Sequence, residues 1–401
     1  MKGIEGGITA AAGFAAGALH CGIRANTAKD DLALIVSQVP CAAAAVYTTN
    51  KVKAAPVKLT REHLADGHAQ AIVVNSGNAN ACAPHGMENA RKQAELTARK
   101  LQLEPEDIIV ASTGVIGQDL PMDAIEQGIE TVVLGKDSTK TARAIMTTDT
   151  KVKECAVEFE IDGVTCHMGG IAKGSGMIHP NMGTMLCFIT TDAAIDPDLL
   201  QKLLRKETRV TFNRVSVDGD TSTNDMCVVL ANGIAQPEVI QPDTAEEKTF
   251  QSALHEVMQQ LAIAIAADGE GASRLLTVTV KGARTEEQAE ILARSVVSSS
   301  LFKAAIFGAD ANWGRVLCAL GYADTEFDPD QTDVCFRSAA GTIDVCEKGK
   351  GLPFDEDRAK EILSQEAVET IIDLHQGEAT ATCWGCDLTY EYVHINGDYR
   401  S

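Results

Sequence analysis

The stretch Lys173-Gly174-Ser175-Gly176-Met177-Ile178-His179-Pro180-Asn181-Met182-Gly183-Thr184-Met185-Leu186-Cys187-Phe188-Ile189-Thr190-Thr191-Asp192 joins two segments of different physics. Its first part is loop chemistry, because glycine opens backbone angles closed to other residues and Pro180 fixes its own. Its second part, Met185 to Thr191, is a short apolar run with β-branched ends and reads as a buried strand. Gly183-Thr184 therefore places a hydroxyl where flexible backbone enters rigid backbone, a good place to hold a nucleophile. On local pattern alone the simpler reading is a turn before a core strand. The rest of the chain has to decide between the two.

A chain of 401 residues exceeds one small core, so two domains or lobes are expected. With 45% hydrophobic and 23% charged residues it has the composition of an ordinary globular protein. The net charge of −21 repels a phosphate backbone and an anionic membrane surface, which argues against nucleic acid or membrane as partners. Cys41, Cys187, Cys227 and Cys318 sit in apolar runs and read as small buried hydrophobes in a reducing compartment. Cys383 and Cys386 have CxxC spacing without a second pair, so no metal or redox centre is expected there. The apolar N-terminal segment carries Glu5 and several glycines and is too short to span a bilayer, which points to the cytoplasm, with an organelle reached by a targeting peptide absent here as the alternative.

Along the chain, strands are expected at 32–36 and 42–46, through TTNKVKAAPV (48–57), at 108–112 and at 275–280. A buried strand also runs into the Gly/Asn loop of residues 70–82. A hairpin is expected across 152–171, turning at Asp162-Gly163. Helical patterns cover 87–102, 122–135, 138–146, 197–208, 246–267, 285–298 and 355–366. The tail CDLTYEYVHINGDYRS reads as β-rich. The mixture is α/β or α+β, and element order leaves the sheet topology open.

Four junctions read as a strand running into a Gly/Asn/Asp/Ser/Thr loop: NSGNAN (75–80), STGVIG (112–117), DGDTSTND (218–225) and GADANWG (308–314). Each alone is most simply a turn with side chains bonded to its own backbone. Four together point to a polar cavity for a small molecule, because sites are built on loops at strand ends. No GxGxxG follows a strand, no HExxH is present, and Gly174-Ser175-Gly176 lacks the spacing of a serine elbow. His167 and His179 accordingly read as structural residues. An activated threonine remains, and one way to activate it is the residue's own free amine at a chain start. That requires cleavage before Thr184, and Gly183, having no Cβ, leaves its carbonyl open to attack by the Thr184 hydroxyl.

Residues in the same order across essentially the whole chain resemble the ornithine acetyltransferase family of arginine biosynthesis, the glutamate N-acetyltransferases. They include AVYTTNKVKAAPV (45–57), NSGNANAC, ASTGVIG, AIMTTDT (144–150), GGIAKGSGMIHPNMGTML, NRVSVDGDTSTND, IAADGEGA, IFGADANWGRV and INGDYRS. The resemblance implies a precursor that cuts itself into an α chain, 1–183, and a β chain, 184–401. It implies an α/β (α+β) sandwich shared with the β-peptidyl aminopeptidases and similar in style to N-terminal-nucleophile enzymes. Family members usually carry alanine before the threonine, where this chain has Gly183.

Carried over, Thr184 is the nucleophile that accepts the acetyl group, and Thr113 with Gly114 forms the oxyanion hole. Thr150, Lys173, Thr184, Glu270, Asn396 and Ser401 contact substrate. The implied reaction moves acetyl from N2-acetylornithine to glutamate, Lys173 suiting a substrate carboxylate and Glu270 a side-chain ammonium. The resemblance implies no cofactor or metal, leaves open acetyl-CoA as a second donor, and implies a heterotetramer of two α and two β chains. Two other readings stand beside it: a threonine-nucleophile amidase or aminopeptidase with water as acceptor, and a binding protein that never cleaves.

Overall fold

The apolar runs assemble into two sheets. The computed structural model describes residues 1–179 and 185–398. Among them, nine strands form the first sheet: β1 (Lys2–Ile4), β2 (Phe14–Leu19), β3 (Leu32–Tyr47), β4 (His68–Asn78), β5 (Ile108–Val115), β6 (Lys153–Ile161), β7 (Val164–Lys173), β8 (Leu186–Ile195) and β10 (Met226–Ile240). Their order is β1-β6-β7-β8-β10-β3-β4-β5, with β2 paired to β3. The second sheet runs β14 (Lys350–Gly351), β13 (Gly341–Glu347), β12 (Asp333–Ser338), β15 (Ala367–Asp373), β11 (Leu275–Ala283), β16 (Ala379–Cys386), β9 (Val215–Ser216).

Helices α1 (Ala55–His63), α2 (Gly86–Leu101), α3 (Met122–Thr131), α4 (Ser138–Ala144) and α5 (Pro197–Val210) accompany the first sheet. They are followed by α6 (Ala245–Ala267), α7 (Glu286–Val297), α8 (Ser300–Phe307), α9 (Trp313–Gly321), α10 (Glu356–Leu363) and α11 (Tyr390–Asp398). Helix α6 packs on β6 and β7 of the first sheet and on β16 of the second, which makes the molecule a mixed α/β sandwich. It is capped by Thr244, whose hydroxyl accepts the Glu247 N–H at 3.2 Å, and buries Phe250, Leu254, Val257, Leu261 and Ile265.

The expected strand after residue 184 is the centre of the first sheet. β8 pairs antiparallel with β7 and parallel with β10, Leu186 facing Lys173 on one side and Met226 on the other. Cys187 and Ile189 enter the core under α5 and α6, while Leu186 and Phe188 enter the core on the opposite face. Burying each Leu, Ile or Phe contributes roughly 1.5–3 kcal/mol. A strand buried on both faces thus gives the chain after residue 184 a rigid support. The hairpin at Asp162-Gly163 forms as expected, both residues having positive φ (50° and 76°), the requirement of a two-residue turn that follows the strand twist.

Five expectations are corrected. Cys318, expected as a buried hydrophobe, is exposed on α9. Residues 32–36 and 42–46 belong to one strand, β3, whose pairing with β4 shifts register between Val36 and Cys41. The segment 48–57 is not a strand: α1 starts at Ala55, with Pro56 in the first turn where a missing N–H costs nothing and Leu59 and Thr60 buried below. The loop at 308–314 follows a helix, joining α8 to α9. The tail is helical, because Asp387 accepts the N–H groups of Ser273 (2.8 Å) and Arg274 (3.0 Å) and turns the chain off β16, and Thr389 then accepts the Glu391 N–H at 3.1 Å. Cys383 and Cys386 lie on β16 and enter two different cores. Burial pushes the Cys383 thiol up to about 12.

Candidate active site

Three of the four polar loops converge. Ala79 from 75–80, Thr113 and Gly114 from 112–117, and Ser222 to Asp225 from 218–225 line a cavity of about 300 Å³ with Lys173, Glu270 and Asn396. The loop at 308–314 contributes nothing to it. The cavity lies where β5, β7 and β8 end or begin, so rigid strands carry its residues.

The 112–117 loop is shaped by close backbone approach. The β4–β5 register breaks at Gly77 and Asn78, an irregularity of the kind that re-aims side chains beside sites. Gly114 has φ 135°, and a Cβ there would fall 2.3 Å from the Gly77 carbonyl carbon, so only glycine fits. Asn224 ties the loops together, its amide donating to the carbonyls of Ala79 (2.6 Å) and Ser112 (2.8 Å). Lys173 Nζ donates to the buried Thr113 hydroxyl oxygen at 3.3 Å. An ammonium accepts nothing, so Thr113's own proton stays available to a second acceptor. That is the arrangement of a preset hydrogen-bond donor.

A buried ion cluster braces the other side. Lys153 Nζ sits 2.7 Å from Asp149 Oδ1 and 2.6 Å from Asp268 Oδ2, with all three side chains nearly inaccessible. Asp149 also accepts the N–H groups of Gly174 (2.7 Å) and Thr147 (3.0 Å). Asp268 accepts those of Thr150 (3.0 Å) and Lys151 (3.1 Å), and the Thr150 hydroxyl as well. Burial alone would raise Asp149, but the ammoniums of Lys173 and Lys153 outweigh it and hold the carboxyl well below the usual range. Lys173 moves the other way: burial pushes it down, and Asp149, Asp225 and Glu270 offset this only in part.

Glu270 follows α6 by three residues, and its N–H donates to Ser175 O at 3.0 Å while Ser175 Oγ donates to Asp268 O at 2.6 Å. A Cβ on Gly176 would overlap the Glu270 carboxylate at 2.3–2.4 Å, so this glycine is what admits the acid. Asn396 reaches in from α11, its amide donating to Glu270 Oε2 at 2.7 Å.

Of the residues named from sequence, Thr113, Gly114, Lys173, Glu270 and Asn396 are brought together. Thr150 is turned to Asp268, and its neighbours Thr147 and Thr148 line the cavity. Gly183, Thr184 and Ser401 lie outside the described residues; Met185, next along the chain from Thr184, lines the cavity. His167 bonds Asp192 at 3.0 Å and His179 bonds Ser216 at 2.9 Å, both as structural residues, and burial pulls His179 down to about 4. Asp149, Lys153, Asp225 and Asp268 escaped the sequence reading. An inward lysine among the apolar alternation of β6 was the one signal of the cluster, and the polar run 218–225 the signal for Asp225.

With this geometry in place, comparison with known proteins gives a consistent picture. The model of the ArgJ family matches residues 15–401. Arginine biosynthesis bifunctional protein ArgJ of Symbiobacterium thermophilum is 52% identical over 406 residues, covering 100% of both chains. The protein of the same name from Thermotoga neapolitana is 52% identical over 97% of this chain and 99% of its own. The crystal structure of Arginine biosynthesis bifunctional protein argJ from Bacillus halodurans, 44% identical, superposes with a TM-score of 0.51 over 54% of this chain and 100% of that one.

Proposed function

We propose, for a chain that belongs to the ArgJ family, an acetyl transfer that runs through an ester on Thr184. As a member of that family the chain is an acetyltransferase of arginine biosynthesis. The observation that carries the detailed reading is the gathering of Thr113, Gly114, Lys173, Glu270 and Asn396 around one cavity that Met185 also lines.

The precursor is cut between Gly183 and Thr184 into chains 1–183 and 184–401. In support, the crystal chain from Bacillus halodurans is matched over its whole length by 54% of this chain, the share that residues 184–401 occupy. The freed amine of Thr184 takes the hydroxyl proton as Oγ attacks the acetyl carbonyl of N2-acetylornithine. The tetrahedral oxyanion is held by the Thr113 hydroxyl and the Gly114 N–H. The C–N bond then breaks, the proton passes to the leaving amine, and glutamate's amine attacks the ester in the second half-reaction. Lys173 faces the substrate carboxylate and Glu270 the side-chain ammonium, with Asn396 and Ser401 giving neutral contacts. Thr150 acts through Asp268.

Thr184→Ala tests the scheme: one uncut band of 42.5 kDa and no transfer are expected, and a cut or active variant overturns it. Product analysis with and without glutamate separates transferase from amidase, because an amidase releases ornithine equally in both. Comparing acetylornithine with acetyl-CoA as donor decides the second donor. Sedimentation tests the assembly of two α and two β chains. Among the described residues no helix is long and apolar enough to cross a membrane; the proposed location is the cytoplasm.

A further inference from the structure

Asp225 carries an unpartnered buried oxygen in the cavity. It precedes β10 and is gripped on both sides: Thr48 N–H donates to its carbonyl at 3.0 Å, and the next residue, Met226, donates to Met185 O at 3.1 Å. The backbone is therefore fixed between β3 and β8. Its side chain is buried, with the residue only 3% exposed, and lines the cavity with Lys173 and Glu270. Yet Oδ2 has no hydrogen-bond partner among the described residues. Buried polar atoms are nearly always bonded, and an exception calls for a ligand or a reaction step that completes it.

The neighbours say what kind of partner fits. Glu270 already accepts the Asn396 amide, and Lys173 donates to Thr113. Burial pushes the Asp225 carboxyl well above its ordinary range, opposed by the Ser222 hydroxyl, the Lys173 ammonium and the Met185 amide. A further cation beside Oδ2 shifts that balance toward the carboxylate and removes the unpartnered atom.

We propose that Asp225 is a second carboxylate, beside Glu270, that receives an ammonium group during the transfer, its free oxygen completing the cavity's charge balance. This rests on the acetyl-transfer reading. Two ammoniums enter that chemistry: the one formed when the Thr184 amine takes the hydroxyl proton, and the side-chain ammonium of acetylornithine. Asp225 ionises as the cation binds, releasing its proton to water, and takes none back during the transfer; it balances charge.

The test is Asp225→Asn, assayed with N-acetylornithine and with N-acetylnorvaline, which has the same carbon skeleton without the terminal amine. Loss of a buried charge partner predicts a fall in kcat of roughly 30-fold or more. An equal fall with both donors assigns the ammonium to the enzyme's own amine, and a fall confined to acetylornithine assigns it to the donor. The melting temperature should stay or rise, because a neutral amide replaces a buried acid, whereas a merely structural role lowers it with activity. Asp225→Glu keeps the charge and should recover part of kcat. The proposal is overturned if Asp225→Asn works within about twofold of wild type on both donors. It is also overturned if the glutamate variant is no better than asparagine at equal folded fraction, or if Asp225→Asn unfolds while Asp225→Glu turns over normally. An active Thr184→Ala would instead sink the acetyl-transfer reading, so the two failures are distinguishable.

Discussion

Two sets of buried charge meet at the cavity, and they are built on opposite principles. Lys153 is saturated: it bridges Asp149 and Asp268, whose carboxylates also accept the backbone N–H groups of Thr147, Thr150, Lys151 and Gly174. Lys173 and Asp225, equally buried, have no such closure. Among the described residues Lys173 donates only to the neutral Thr113 hydroxyl, and Asp225 Oδ2 has no partner. The first set draws together three segments, residues 147–153, the end of β7 and the turn after α6. The second faces the space those segments enclose. A closed network braces, and an open one waits for something to bind.

Removing Lys153 should have the largest effect on stability. Lys153→Met leaves two carboxylates buried without their cation, and breaking such a pair costs about 3–5 kcal/mol. Denaturant unfolding measures it, and a loss under about 1 kcal/mol would erase the contrast. Lys173→Met breaks no direct ion pair but removes an ammonium that holds Asp149 ionised, so the loss of stability should be smaller than for Lys153→Met while transfer falls roughly 10²-fold or more. Equal destabilisation by both lysine changes would show that the two sets are one network. Thr113→Val tests the donor that Lys173 sets up: kcat should drop about 10²-fold with KM little changed, and a rise in KM alone would move Thr113 into ground-state binding.

The smaller effects concern pH. Asp149 has a folded value below its ordinary 3.8. Its contribution is complete above the carboxylate range and is lost as pH falls through and below it. Asp149→Asn should flatten that acid limb. His179 is depressed from 6.5 to about 4, so the folded state excludes its proton and stability declines as pH falls from about 6.5 toward 4. In His179→Gln this shallower limb should vanish while the one belonging to Asp149 remains. If both limbs vanish together, the saturated cluster and the His179 region titrate as one unit.

Much of the site was legible because its residue types are unusual where they stand. Gly114 and Gly176 are needed for close approach, and Thr113, Lys173, Glu270 and Asn396 fall in segments that resemble a family over the whole chain. The cluster around Lys153 was not legible. Its members stand up to 119 positions apart, in segments that read separately as strand, loop and helix end. The tail misled for a related reason: Tyr390 to Ile395 alternates like a strand, but Asp387 turns the chain away from the sheet before it can pair. The loop at 308–314 has the composition of the other three and ends between two helices, so composition marked a turn without saying where it points.

The sequence by itself determined the strand that begins after Thr184, the hairpin at Asp162-Gly163, the long helix ending before Asp268, and the family. These follow from local periodicity, turn chemistry and residue order. Only the tertiary structure decided which polar loops meet and which buried charges are satisfied. Burial and ion pairing depend on distances between segments remote in the chain, and no local pattern carries those distances.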